Sequence, residues 1–417
     1  MCLEPQTFQR RMSFPPPIKY ENFSSPFAVD TNQQPFSGIV NPRNVKCWLN
    51  SSVQALPGLP ILRHYFTADR GDIKHNCGKT NKKDCLVHQI RRLVCATETN
   101  TTNSVANMLP PILNLLPPRF ANNQHCPADF LTHVLQSAQR CEMQFHDNLK
   151  TKTSRTLTQK RKQTSKKSYK VQYLLDASKQ HASQVDSSHT TVISRIMGIY
   201  ARSFVYHNLT QQEPHIKSVQ EVFDFLALEI PRVDSKIKIT VADCVEHFLK
   251  PEKIEFKCEN CPVNTDNTSM TKEYTLPNPF PPVVAIHLKR FQFSLDEERA
   301  KISREVVVSE TFDMPGYEGK DSYNLRSVIC HIGTKLDSGH FFSYVLKKCT
   351  DNSEQWMKCN DETVTVGVKT SDVIDQASRY GYLLFYLRTA AAAVTSTTTS
   401  TSTSTSTSTS NSSSRGS

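Results

Sequence analysis

Apolar positions along the chain fall into two periods, and the period changes mark the elements. From His340, Phe342, Tyr344 and Leu346 alternate with their neighbours, so a half-buried strand is predicted to begin there and to hold His340 at an edge facing a cleft. The stretches around His287 and His331 are apolar and strand-like, and those two histidines read as structural rather than catalytic. A helix is predicted over Gln124–Gln136, and another beginning at Cys47. Other stretches have no buried face. Residues 1–36, a polar stretch near 149–190, and a tail in which Ser and Thr alternate after Ala390–Ala393 are expected to be largely disordered, because none can bury enough apolar surface. No apolar run approaches the length of a membrane span, and the N-terminus has neither the basic start nor the apolar stretch of a secretory signal.

The chemistry is concentrated in three places. Cys47 opens Cys-Trp-Leu-Asn-Ser-Ser-Val-Gln, His340 lies in Ser-Gly-His-Phe-Phe-Ser-Tyr, and Asn360 and Asp361 close Trp-Met-Lys-Cys-Asn-Asp. A cysteine of ordinary pKa near 8.5 is mostly protonated at neutral pH, so a nucleophilic thiol needs an imidazole to take its proton. The imidazole needs an oxygen acceptor on its other nitrogen to fix its tautomer, and either Asn360 or Asp361 offers one. Gly339, before the histidine, would let backbone pass close to a substrate chain.

With these residues in view, the chain resembles the ubiquitin-specific proteases, a family of papain-like deubiquitinating cysteine peptidases. The resemblance spans roughly Phe36 to Arg388 and rests on six ordered segments: Gly38–Leu56 around Cys47, Gln124–Leu131, Leu276–Phe291, Tyr323–Gly333, the histidine segment, and Gly381–Arg388. It implies an α+β papain-like fold with a helical thumb over residues 37–195, fingers over 196–270 and an antiparallel-sheet palm over 271–388, followed by the tail at 389–417. It also implies hydrolysis after the C-terminal glycine of ubiquitin through an acyl-enzyme, with ubiquitin as partner and no cofactor in the chemistry. Gln124, Asp129, Gly339 and Tyr382 would line the path of ubiquitin's tail. By family position Asn360, rather than Asp361, orients His340.

One departure bears on catalysis. Family members place an oxyanion-donating Asn five residues before the nucleophile, whereas Asn41 lies six before Cys47 and Asn44 three before, and Arg43 replaces a glycine. Asn41 either regains the donor position through a bulge or is displaced. Losing such a donor costs about 3–4 kcal/mol of transition-state stabilisation. A displaced donor predicts a slow enzyme, or a ubiquitin-binding or scaffold relative. Specificity for a ubiquitin-like modifier is a further alternative.

Two cysteine clusters suit a structural zinc ion. His75, Cys77, Cys85 and His88 have ligand-like spacing and resemble a thumb zinc cluster of some family members. Cys258 and Cys261 resemble half of the fingers' zinc ribbon, with Tyr206-His207-Asn208-Leu209 where the other half would fall, which predicts a degenerate ribbon. The remaining cysteines, Cys126 and Cys141 among them, read as small core or surface residues. The odd total of thirteen cysteines fits reduced thiols in an intracellular compartment, nuclear and/or cytoplasmic.

Charge alters one further reading. Lys150–Lys170 holds nine basic residues and no acidic one, and supplies most of the net charge of +11. A solvated loop accounts for it, as does a patch for an import receptor or nucleic acid around Gln159–Lys162.

Overall fold

The computed structural model describes residues 37–41, 45–68, 74–98, 105–120, 124–159, 191–206, 216–255, 269–276, 280–291, 301–316, 319–335, 338–349 and 353–389. Helices come first along the chain: α1 (Cys47–Ala55), α2 (Pro60–Thr67), α3 (Leu86–Glu98), α4 (Leu109–Leu113), α5 (Pro127–Gln159) and α6 (Val192–Met197). Strands follow: β1 (Ile199–Tyr206), β2 (Ile216–Phe223), β3 (Leu226–Leu228) and β4 (Ile239–Thr240), then α7 (Val241–Leu249), β5 (Glu252–Glu255), β6 (Ser269–Thr275), β7 (Val283–Leu288), β8 (Val306–Val307), β9 (Thr311–Gly316) and β10 (Gly319–Ile332). The chain closes with β11 (His340–Lys348), β12 (Glu354–Asn360), β13 (Thr363–Val368), α8 (Thr370–Tyr380) and β14 (Gly381–Arg388).

The larger sheet has the order β13-β12-β11-β10-β14-β7-β3, with β9 paired to the start of β10. All its pairs are antiparallel except β3 with β7. It is covered on both faces. Val283, Ala285, Ile329, Phe341, Leu383 and Phe385 pack into one core with the helices α1 to α6. Their neighbours Val284, Ile286, Val328, Cys330, Phe342, Leu384 and Tyr386 pack into a second core with Val373 and Ala377 of α8. Successive side chains on a strand point to opposite faces, so a strand with two cores is buried at successive positions rather than at alternate ones. That corrects the half-buried reading of β11: from Phe341 to Val345 all five residues are buried.

A four-stranded sheet, β2-β1-β6-β5, corresponds to the expected fingers, but β3, within the range assigned to them, belongs to the palm sheet. Helix α5 starts at Pro127 rather than Gln124, since proline is favoured in a first helical turn where its missing N–H costs nothing. It then continues to Gln159, eleven residues into the stretch expected to be disordered. No proline or glycine follows Pro127 in it, and residues such as Lys, Arg, Gln and Leu are good helix formers. The expectations for residues 1–36, most of 149–190 and the Ser/Thr tail lie outside the described residues. No helix among the described residues is long and apolar enough to cross a membrane.

Arg290, fully buried just beyond β7, holds the palm together. Its guanidinium donates to the carbonyls of Gly381 (2.7 Å), Ser378 (3.1 Å), Ile302 (3.2 Å) and Arg304 (2.6 Å). Arg290→Met keeps the bulk of the stem and leaves these carbonyls without donors. We expect it to cost about 3 kcal/mol or more, seen as a lower urea midpoint; an unchanged midpoint would contradict this role.

Candidate active site

Cys47 is the first residue of α1, as its sequence context predicts. The helix is started by the segment before it: Lys46 N–H donates to Asn41 Oδ1 at 2.8 Å, and the Lys46 carbonyl accepts from the amides of Leu49 and Asn50. Trp48 anchors the turn in the thumb core against Phe120 and Phe130, with its indole N–H on the Val45 carbonyl at 2.8 Å. Cys47 is fully buried, and burial pushes its thiol pKa up. The Phe341 backbone N–H opposes this, the Asp361 charge adds to it, and the N–H groups of Trp48 and Cys47 itself pull down. Cys47 also stands at a helix N-terminus, where negative charge is favoured.

His340 begins β11, and its side chain is 38% exposed. β11 pairs with β12 with Ser343 opposite Cys359, which brings the end of β12 alongside the start of β11. Asn360 Oδ1 lies 2.5 Å from His340 Nε2, leaving Nδ1 as the ring nitrogen free to serve a thiol. Asp361 Oδ2 is 3.9 Å from the same nitrogen, too far to orient it. Asp361 has another task. It sits in the β12–β13 turn at φ 50°, a left-handed conformation that aspartate tolerates. Its carboxylate accepts from Asn50 Nδ2 at 2.8 Å and Asn41 Nδ2 at 2.9 Å, and its carbonyl accepts from Gln54 Nε2 at 3.0 Å and the Ile39 amide at 2.8 Å. The sequence pattern alone assigns Asn50 and Gln54 no role; their signal is an amide one and two turns into a buried helix.

Asn41 therefore ties Lys46 through its Oδ1 and the Asp361 carboxylate through its Nδ2, while residues 42–44, Asn44 among them, lie outside the described residues. Gln124 grips the loop before His340: its Nε2 donates to the Gly339 carbonyl at 2.9 Å and its Oε1 accepts the Gly339 amide at 3.2 Å. A Cβ on Gly339 would stand 2.2 Å from His331 Nε2, so glycine is needed here for packing against the protein itself. Asp129 is exposed in the first turn of α5. Tyr382 does not line a substrate path. It is 3% exposed, with its hydroxyl 2.9 Å from Cys126 Sγ and its ring against Phe341 and His287, because β14 is a central strand covered on both faces. Burial holds His287 and His331 neutral, with pKa values lowered to about 4 and about 3, in keeping with structural roles.

The thumb cluster is brought together. One donor atom from each of His75, Cys77, Cys85 and His88 lies within 4.8 Å of the others, a set that suits a structural zinc ion. Cys141, read from sequence as a small core residue, stands beside it. Cys258, Cys261 and His207 lie outside the described residues.

A family model described as ubiquitin carboxyl-terminal hydrolase matches residues 37–386, which contain every one of these groups. The chain belongs to that family. It is a cysteine-type deubiquitinating hydrolase with the α+β fold of the family's catalytic domains. The probable ubiquitin carboxyl-terminal hydrolase 16 of Schizosaccharomyces pombe is 24% identical over 370 residues, covering 85% of this chain and 67% of the relative. The ubiquitin carboxyl-terminal hydrolase nonstop of Drosophila melanogaster is 34% identical over 158 residues, 35% of this chain and 29% of the relative. Among solved structures, a SAGA deubiquitinating module containing Ubp8 and bound to monoubiquitin aligns with a TM-score of 0.60 at 17% identity, covering 85% of this chain and 70% of that one.

Burial is the largest influence on the Cys47 thiol and raises its pKa, so the thiol is expected to ionise later than an ordinary cysteine. Alkylation of Cys47 by iodoacetamide, followed by peptide mass spectrometry, should still be rising above pH about 8.5, the ordinary cysteine value. A plateau already reached at neutral pH would contradict it.

Proposed function

We propose that Cys47 is the nucleophile, His340 the general base and acid, and Asn360 the residue that orients the imidazole, in hydrolysis of the bond after ubiquitin's C-terminal glycine. The contact from His340 Nε2 to Asn360 Oδ1 carries this reading, because it fixes which nitrogen faces away and leaves Nδ1 for the sulfur. Catalytic contacts commonly tighten only when substrate binds. With ubiquitin's tail in the cleft, Nδ1 takes the thiol proton and the thiolate attacks the glycine carbonyl. The resulting oxyanion falls to donors at the start of α1, the Cys47 amide and the remaining Nδ2 hydrogen of Asn41. Imidazolium protonates the departing amine, and the acyl-enzyme is then hydrolysed by water that gives its proton to His340. Asp129, exposed in the first turn of α5, is suited to the tail. Gln124 and Gly339 shape the loop, and Asp361 holds Asn41 in place.

A second reading, a slow enzyme or ubiquitin-binding relative, is favoured by the raised Cys47 pKa and by Asn41 being engaged at both ends of its amide. The same site acting on a ubiquitin-like modifier is a variant of the first. For the finer partners, the basic segment Lys150–Lys170 supports contact with an import receptor or nucleic acid. The described cysteines are all free, which supports an intracellular setting, nuclear and/or cytoplasmic.

Ubiquitin bearing a C-terminal alkyne electrophile tests the assignment. The expected result is a covalent adduct mapped to Cys47, absent in Cys47→Ala and reduced more than about 100-fold in rate in His340→Ala. Binding of ubiquitin without an adduct would favour the second reading, and an adduct only with a ubiquitin-like probe would change the substrate.

A further inference from the structure

The thumb cluster has one donor more than a tetrahedral ion needs. Cys141, in the middle of α5, places its sulfur 3.5 Å from Cys77 Sγ and 3.9 Å from Cys85 Sγ, and Cys85 Sγ is 3.4 Å from His75 Nε2. Two sulfurs at about 2.3 Å from zinc, on two corners of a tetrahedron, lie about 3.8 Å apart, and a sulfur and a nitrogen slightly less. The observed separations match those edges. His88 is the competing donor, with a buried Nδ1 that has no partner and a ring lying edge-on to His75.

Two surrounding features favour the cysteine. The Gly78 amide donates to Cys141 Sγ at 3.3 Å, and such N–H groups stabilise a thiolate bound to metal. His75 Nδ1 lies 2.9 Å from the Tyr65 hydroxyl, which in turn donates to Glu142, the residue after Cys141. A ligating histidine characteristically has its second nitrogen held by such a chain, and here it aims Nε2 at the three sulfurs. The carboxylate is anchored in turn, since Glu142 Oε2 accepts the Val192 amide at 2.6 Å.

We propose that His75 Nε2, Cys77, Cys85 and Cys141 hold a zinc ion, and that His88 packs outside its coordination sphere. On binding, the three thiols release their protons to solvent as three sulfur–zinc bonds and one nitrogen–zinc bond form. The ion would then join three separate segments: the loop at His75–Cys77, the residue before α3, and the middle of α5. Helix α5 begins three residues after Gln124, which grips the loop before His340, so the ion would steady the thumb wall of the cleft.

Zinc-edge X-ray absorption tests this on the full chain carrying Cys258→Ser and Cys261→Ser, so that only this cluster reports. The expected coordination shell is three sulfurs and one nitrogen. Two sulfurs with two nitrogens, or no bound zinc, would overturn the proposal. Competition with a chromogenic chelator gives a second reading in the same background. Cys141→Ser should weaken zinc binding more than tenfold while His88→Ala leaves it unchanged. Loss of zinc in His88→Ala, or its retention in Cys141→Ser, would overturn the assignment.

Discussion

The carboxylate of Asp361 is the junction on which the site depends. Cys47 and its segment belong to the thumb, whereas His340 and Asn360 belong to a sheet whose strands are set by pairing with β10 and β12. Backbone and side chain of Asp361 together take four hydrogen bonds from Ile39, Asn41, Asn50 and Gln54, on both sides of Cys47 in the sequence. The turn that carries Asn360 is thereby the same turn that seats the segment around Cys47. A Cβ on Gly38 would lie 2.0 Å from the Glu362 carbonyl oxygen, so the two strands of chain cross there in direct contact. Hydrogen bonds to a charged acceptor contribute about 1.5–3 kcal/mol each, enough to fix the register of two lobes that otherwise meet through packing.

Packing reinforces the same junction. The Ser327 hydroxyl donates to the Ala55 carbonyl at 2.8 Å and Arg326 Nε to the Gly58 carbonyl at 3.2 Å, so the end of α1 is tied to β10 while its start is held by Asp361. The helix is fully buried along its length, with polar faces at Asn50, Ser51, Ser52 and Gln54. The amide nitrogens of Asn50 and Gln54 link the lobes through Asp361, whereas the hydroxyls of Ser51 and Ser52 bond within the helix to the Trp48 carbonyl. Gln124 makes the reciprocal connection from thumb to palm through both backbone groups of Gly339.

Much of this was legible in the chain. The helix at Cys47, the strand start at His340 and the acceptor at Asn360 each sit in a local pattern that survives folding, because each depends on neighbours in sequence. The resemblance puts Tyr382 in the cleft, whereas the unbroken apolar run Tyr382–Leu387 already signals a strand with a core on both faces. Roles that depend on distant neighbours were not legible. Gly339 suggested room for a substrate, and the structure gives that room to His331. Asp361 looked like a second candidate for His340, since adjacency to Asn360 says nothing of a turn at positive φ that directs its carboxylate towards α1. Cys141 has no motif spacing because its partners come from a loop more than 50 residues earlier.

The most direct measurement is the kcat/KM for hydrolysis of ubiquitin carrying a C-terminal fluorophore, compared between the natural chain and Asp361→Asn. The substitution keeps the volume and removes the charge, and one of its amide hydrogens must face a donor on Asn41 or Asn50. If the carboxylate organises the site, kcat/KM falls about 100-fold, equivalent to about 2.7 kcal/mol, while Asn360 and Cys47 are untouched. A variant that is folded and turns over within a few-fold of the natural chain would contradict the account.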